Sequence, residues 1–336
     1  MLATIAGLAA MGGLVGYFGV GAVLHSLFAF GVGGFAAICL IHIVLIAAAG
    51  LAWRALVPGE RVLTFLWGRL VRDAGAEALP LSQVGGLVLG ARAVTLAGVT
   101  GTVAAATTIV DVTLEFVAQL AYTALGLAWL VRLKPDTAAA RPIMIGLVVA
   151  GITAVVFFLV QRHGFSHFDR IARILGLRWA ERAASGATAL HAALADIYRN
   201  PGGLWANFLL HLTCWIASAF EAWVALRLAG VELGFGAVLS IESLVYAIRA
   251  AAFAVPNAVG VQEGAYILLG GSLGLTPEMA LALSLLKRAR DLAIGLPAIA
   301  AWQAVEGGRI WRRIGRRAAP SGAESQTVVV PLAPDG

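Results

Sequence analysis

The stretch AVPNAVGVQEGAYILLGG, Ala254 to Gly271, decides the fold. It sets Pro256, Asn257, Gly260, Gln262, Glu263 and Gly264 in a run where a membrane helix carries Leu and Val. Around it, 60% of the 336 residues are hydrophobic and only 12% are charged. That charged fraction is about half the usual share of a soluble domain. The mean hydropathy is +0.89. A helix-breaking, charged loop inside such a chain is tolerated only where protein buries it or a wet cavity solvates it.

Apolar runs of membrane-spanning length recur at about Leu2–Leu24, Phe28–Ala52, Val103–Val131, Pro142–Gln161, Leu204–Leu226 and Pro277–Val305. These runs predict about six spanning helices. The first has no basic residues before it and is followed at once by a second span, so it reads as a retained helix and not a cleaved signal. Cys39 and Cys214 lie in apolar spans without a CxxC or Cys/His partner, as small buried hydrophobes do, and suggest no disulfide. The net charge of +6 sits in short connections and near the C-terminal end. It reports orientation and anionic headgroups, and no nucleic-acid partner.

Arginines collect in Trp53–Leu79 (Arg54, Arg61, Arg69, Arg72), in Arg162–Asn200, and in Arg309–Arg317. By the positive-inside rule these three segments are cytoplasmic, as are both termini. Two apolar segments remain, Leu81–Gly98 and Ala237–Gly274. If Leu81–Gly98 enters from the cytoplasm and returns, every arginine-rich loop stays inside. The same parity makes Ala237–Gly274 a re-entrant hairpin from the outer face, with the Pro-Asn-Gly turn at its tip. In Arg162–Asn200, Phe165, Phe168, Ile171, Leu175 and Trp179 recur at near-helical spacing. That pattern fits an amphipathic helix on the inner interface or a small cytoplasmic helical hairpin. Residues 1–317 read as one transmembrane domain, and 318–336 as a disordered tail.

The two leftover segments resemble each other. GLVLGARAV, Gly86–Val94, aligns with SLVYAIRAA, Ser243–Ala251, so that Arg92 falls on Arg249. Val99–Glu115 aligns with Leu275–Asp291, so that Asp111 falls on Lys287 and Glu115 on Asp291. Repeat units of about 81–161 and 237–305 are separated by three spans and therefore inverted. Inverted repeats with broken helices place a binding site near mid-membrane. A charge at the bilayer centre costs at least about 2.5 to 3.5 kcal/mol, so each needs a partner or water. Accordingly Arg92, Arg249, Glu263, Glu242, Asn257 and Gln262 are expected to line a polar substrate path. Asp111, Glu115, Lys287, Arg288, Arg290 and Asp291 are expected to pair within the membrane, with Asp111 meeting Lys287 at equal depth.

Catalysis finds no footing. His163 and His167 lie in the arginine-rich loop without the glutamate of a HExxH metal motif, and no P-loop or GxSxG occurs. No metal, cofactor or enzymatic activity is expected.

VPNAVGVQEGAYILLG followed by GLTPEMALALSLLKRARD resembles the C-terminal signature of the lysylphosphatidylglycerol synthase transmembrane-region family of flippase-like membrane proteins. The stretch Leu81–Gly126 looks like that family's hopanoid-biosynthesis-associated subgroup. The resemblance implies a bacterial inner-membrane protein related to a lipid-translocating domain, with its Gly-Val-x-Glu on Gly260–Glu263 and its basic residue on Lys287 or Arg288. Asn257 and Ala258 stand where the family often carries Gly. No soluble aminoacyl-transfer domain is present. The expected role is to move or present a membrane lipid, hopanoid or phospholipid, between leaflets. The alternative is a scaffold or regulator that holds lipid-biosynthesis enzymes at the membrane.

Overall fold

The computed structural model describes residues 28–78, 82–136, 140–163, 178–252 and 255–318, with residues 21, 24 and 25 ahead of them. The expected first span, Leu2–Leu24, falls almost wholly outside these residues. So do the apolar-periodic stretch Phe165–Leu175 and the tail after Ala318. Among the described residues there are ten α-helices and no strand. In order they are α1 (Gly31–Ala55), α2 (Val62–Ala78), α3 (Ser82–Leu96), α4 (Gly101–Leu133), α5 (Ala140–His163), α6 (Arg178–Tyr198), α7 (Pro201–Leu228), α8 (Phe235–Ala251), α9 (Val261–Ser272) and α10 (Pro277–Ala318).

Among the described residues, four helices are long and apolar enough to cross a membrane: Gly31–Ala55, Gly101–Leu133, Arg141–Gln161 and Pro201–Leu228. They coincide with four of the expected spans. Scarcely any of Arg141–Gln161 is buried, and a Val/Ile/Leu/Phe surface of that length needs hydrocarbon around it. Pro277–Val305 is helical inside α10, but Lys287, Arg288, Arg290 and Asp291 interrupt its apolar run. The chain is thus an all-helical membrane protein.

Helix starts follow the sequence. Thr100 caps α4, its hydroxyl accepting from Val103 N–H at 3.4 Å. Asn200 caps α7 at Gly203 N–H, 3.0 Å, with Pro201 in the first turn. Thr276 accepts from Met279 N–H at 3.3 Å ahead of α10. Each cap satisfies a donor that the first helical turn leaves open, and Pro in that turn has no donor to lose.

The first of the two remaining apolar segments departs from expectation. Leu81–Gly98 is not a hairpin, because α3 runs unbroken from Ser82 to Leu96. Its partner is α2, and the two pack backbone to backbone. A Cβ on Gly86 would stand 2.4 Å from the Arg72 carbonyl, and one on Gly90 3.1 Å from that of Gly68. The segment Trp53–Leu79 is consequently no plain cytoplasmic connection. Its Arg69 and Arg72 lie on α2 inside the bundle, where arginine counting had treated them as loop charges.

At the second segment, α8 and α9 are joined by a 3₁₀ turn over Pro256–Ala258. Asn257 and Ala258 have φ of 51° and 46°, and Gly260 has 81°. These are left-handed values, which glycine adopts without steric cost and alanine does not. The Glu263 carboxylate reaches back to accept from Gly260 N–H at 2.7 Å and fixes the start of α9.

Among the described residues, the two largest of five apolar clusters make the main cores. One joins α7, α8, α9 and α10 around Ile241, Tyr266 and Leu283; the other joins α1, α2, α4 and α6 around Trp53, Phe65 and Leu194. The helix α6 is held on the bundle by Leu194 and Ile197 and by Tyr198, whose hydroxyl donates to Gln161 Oε1 at 2.8 Å. Burial pushes the Tyr198 phenol up to about 12.

Candidate functional site: a charge-lined cavity beside an apolar one

Three groups of charges occupy the bundle. In the first, α2 carries Arg69 and Arg72 three residues apart, on one helical face, opposite Asp111 and Glu115 of α4. Arg72 Nη1 donates to Asp111 Oδ2 at 2.7 Å and Nη2 to Glu115 Oε2 at 2.5 Å. Arg69 forks onto Glu115 at 2.7 and 3.2 Å and onto Asp73 at 2.9 Å. The other Asp111 oxygen accepts from Asn207 at 2.7 Å and lies 2.9 Å from His211 Nε2, both on α7.

In the second group, Arg290 of α10 donates to Glu221 of α7 and, at 2.6 Å, to its neighbour Asp291. Lys287 donates to the fully buried Glu242 of α8, whose second oxygen accepts from Tyr266 at 2.6 Å. The third group surrounds the turn. Arg288 donates to Glu263 at 2.6 Å, Gln262 to Ser284 at 2.8 Å, and Ser284 to Glu263 at 3.1 Å. Arg249 donates to the Asn257 side chain at 3.2 Å, and Asn257 in turn donates to Glu77 of α2.

The first two groups border one cavity of about 230 Å³, whose walls include His42, Arg69, Arg72, Glu115, His211 and Asp291. A second cavity of about 350 Å³ shares Arg72, Glu115, Trp215, Tyr246 and Arg249 with it. A third, of about 430 Å³, shares Phe116, Gln119 and Ala250 with the second. Its remaining walls are nearly all apolar: Leu120, Ile143, Leu147, Leu244 and Ile248 among them. The three cavities therefore lie side by side, the first lined by paired charges, the second bordered by Trp215 and Tyr246, and the third walled by apolar residues of α4, α5 and α8.

Asp111, Glu115 and His211 offer ligand atoms within 4.8 Å of one another. The oxygens facing that space are already held by Arg69, Arg72 and Asn207. Two guanidinium charges there oppose a further cation, and the trio is tied into a charge network.

Of the residues expected to line a polar path, Arg249 and Asn257 border the second cavity. Glu242, Glu263 and Gln262 are buried and bonded between helices, outside the walls of these three cavities. Arg92 is half-exposed and pairs with Glu306 at 3.0 Å, away from them. All six residues expected to pair take part in ion pairs. The expected Asp111–Lys287 contact is replaced: Asp111 is held by α2 and α7, and Lys287 by α8. Sequence reasoning missed Arg69, Arg72, His42, His211, Glu221 and Glu77. Three of these carried a usable signal, since His42, His211 and Glu221 are ionisable residues inside apolar spans.

Fold and site together define a helical membrane protein with polar and apolar cavities side by side. The chain belongs to the lysylphosphatidylglycerol synthase TM region family, which it matches over residues 4–298, and is in that broad sense a lipid-related membrane protein. Neither the curated proteins nor the solved structures compared with it show a match.

Proposed function

We propose that the protein moves or presents a lipid between the leaflets of a bacterial inner membrane. The observation that carries the reading is the succession of three adjacent cavities that share wall residues. A polar head fits the part bordered by Arg72, Arg249, Trp215 and Tyr246, and a tail fits the apolar part beside α5. Translocation requires hiding the head from hydrocarbon while the tail stays in it, and a row of cavities polar at one end and apolar at the other meets both needs. Membership of the lysylphosphatidylglycerol synthase TM region family supports a lipid cargo, with hopanoid or another polar-headed lipid as its particular form. The pairs α2–α3 and α8–α9 act as re-entrant hairpins in an inverted arrangement, with both termini cytoplasmic. Their helices of 17, 15, 17 and 12 residues are at ~1.5 Å per residue each shorter than a hydrocarbon core of about 30 Å.

The test is a leaflet-resolved assay in proteoliposomes carrying head-labelled phosphatidylglycerol or a head-labelled hopanoid, bleached from outside by dithionite. The protein should carry the bleach well past the outer-leaflet half that empty liposomes show. Ala250→Trp, at the waist between the polar and apolar cavities, should abolish the excess while leaving the protein monodisperse. Bleaching identical to that of empty liposomes for both lipids would reject translocation and leave the scaffold role.

A further inference from the structure

His42 stands on α1 with a carboxylate at each ring nitrogen. Nδ1 is 3.1 Å from Glu221 Oε2 of α7, and Nε2 is 3.8 Å from Asp291 Oδ1 of α10. A neutral imidazole donates from one nitrogen and offers a lone pair at the other; only the imidazolium donates from both. Either neutral tautomer therefore turns a lone pair toward a carboxylate. The distances select one: Nδ1–H donates to Glu221, and the lone pair of Nε2 faces Asp291 across a gap too long for a hydrogen bond. An added proton at Nε2 finds its acceptor already in place.

The surrounding charges are one cation short. Around His42, Glu221 of α7, Glu242 of α8, Asp291 of α10 and Glu77 of α2 stand against three fixed cations, Arg249, Lys287 and Arg290. On the far side of the cavity, α2 and α4 supply Asp73, Asp111 and Glu115 against Arg69 and Arg72. The nearest titratable group on α1 itself is Cys39. Each set thus leaves one negative charge over and has one histidine touching a carboxylate: His42 on Glu221, His211 on Asp111. The two histidines differ in access. The His211 side chain is 2% exposed, whereas that of His42 is 22% exposed where it borders the cavity.

The geometry points to His42 as a proton-binding site whose loading from the cavity drives lipid movement, an inference that rests on the transport reading above. A proton leaves a cavity hydronium and adds to the Nε2 lone pair, and no other bond breaks. The new N–H then donates to Asp291, closing the 3.8 Å gap toward the ~2.8 Å of a charge-assisted bond. Since α1 and α10 both wall the cavity, loading draws those walls together and release lets them part. A metal or sodium ion does not fit the same place. The imidazole itself fills the space between the carboxylates, and hard cations take shells of oxygen ligands.

The test reads the ring directly, with the full chain in nanodiscs and its histidines labelled with ¹⁵N. His42→Gln identifies the His42 signals. On acidification His42 should pass from one protonated nitrogen to two, and Asp291→Asn should change the pH at which it does so. A ring that keeps one protonation state from about pH 5 to 9, or a midpoint unmoved by Asp291→Asn, overturns the proposal. In proteoliposomes with head-labelled phosphatidylglycerol, a pH gradient should speed lipid movement at least several-fold in the wild type and not in His42→Gln. A sodium gradient that drives movement where a pH gradient does not overturns the proton as coupling ion. Titration of His42 without lipid movement under any gradient fails the transport reading and leaves only a proton site. Lipid movement without titration fails the coupling and leaves transport standing.

Discussion

Lys287→Met isolates one charge in the centre of the bundle. Glu242 has no exposed surface; one of its oxygens accepts from Lys287 and the other from Tyr266 at 2.6 Å. Methionine preserves most of the lysine stem, so the packing loss is small and the lost ammonium dominates. Removing one partner of a buried pair costs about 3 to 5 kcal/mol, because the remaining charge has neither water nor counter-ion. At about 1.4 kcal/mol per tenfold, the folded-to-unfolded ratio should fall by roughly two to three and a half orders of magnitude. Glu242→Gln in the same chain removes the stranded charge and keeps an acceptor for Tyr266. The double variant should then lie within about 1 to 2 kcal/mol of the wild type. Reversible unfolding of the four proteins in micelles gives the coupling energy. A coupling below about 1 kcal/mol, or recovery by Asp111→Asn instead of Glu242→Gln, refutes the reasoning.

The turn between α8 and α9 holds Ala258 at φ 46°, so Ala258→Gly should raise stability by about 0.5 to 1 kcal/mol in the same unfolding assay. Gly86→Ala would press a methyl to 2.4 Å from the Arg72 carbonyl; it should lower the yield of folded protein sharply, while Gly151→Ala, with nothing within 4 Å, should leave yield unchanged. Arg92→Gln breaks only a half-exposed pair with Glu306 and should cost less than about 1 kcal/mol with lipid movement intact. Arg249→Gln removes a cation from the cavity walls and should slow movement at least tenfold with the protein still monodisperse.

Composition and hydropathy by themselves determined an all-helical membrane chain. The spans at Phe28–Ala52, Val103–Val131, Pro142–Gln161 and Leu204–Leu226 recur almost residue for residue, because a helix in hydrocarbon must satisfy its own backbone and show the lipid an apolar surface. The break at Pro256–Gly264 was equally legible, since Pro, Asn and Gly there have no other use. Local sequence also marked the residues that need partners: Asp111, Glu115, Lys287, Arg288, Arg290 and Asp291 could not sit unpaired. What local sequence could not supply was the identity of each partner. Arg69 and Arg72 look like loop charges when counted along the chain, yet α2 packs among α1, α3 and α10 inside the bundle, and both arginines reach across to Asp111 and Glu115 of α4. Likewise Lys287 finds Glu242, and not the Asp111 that repeat alignment assigned to it. Pairing depends on helix rotation and neighbour order, which differ by whole helix faces for the same hydropathy profile. The row of cavities and the histidine between two carboxylates belong to that tertiary level, because each is assembled from helices that are far apart in the chain.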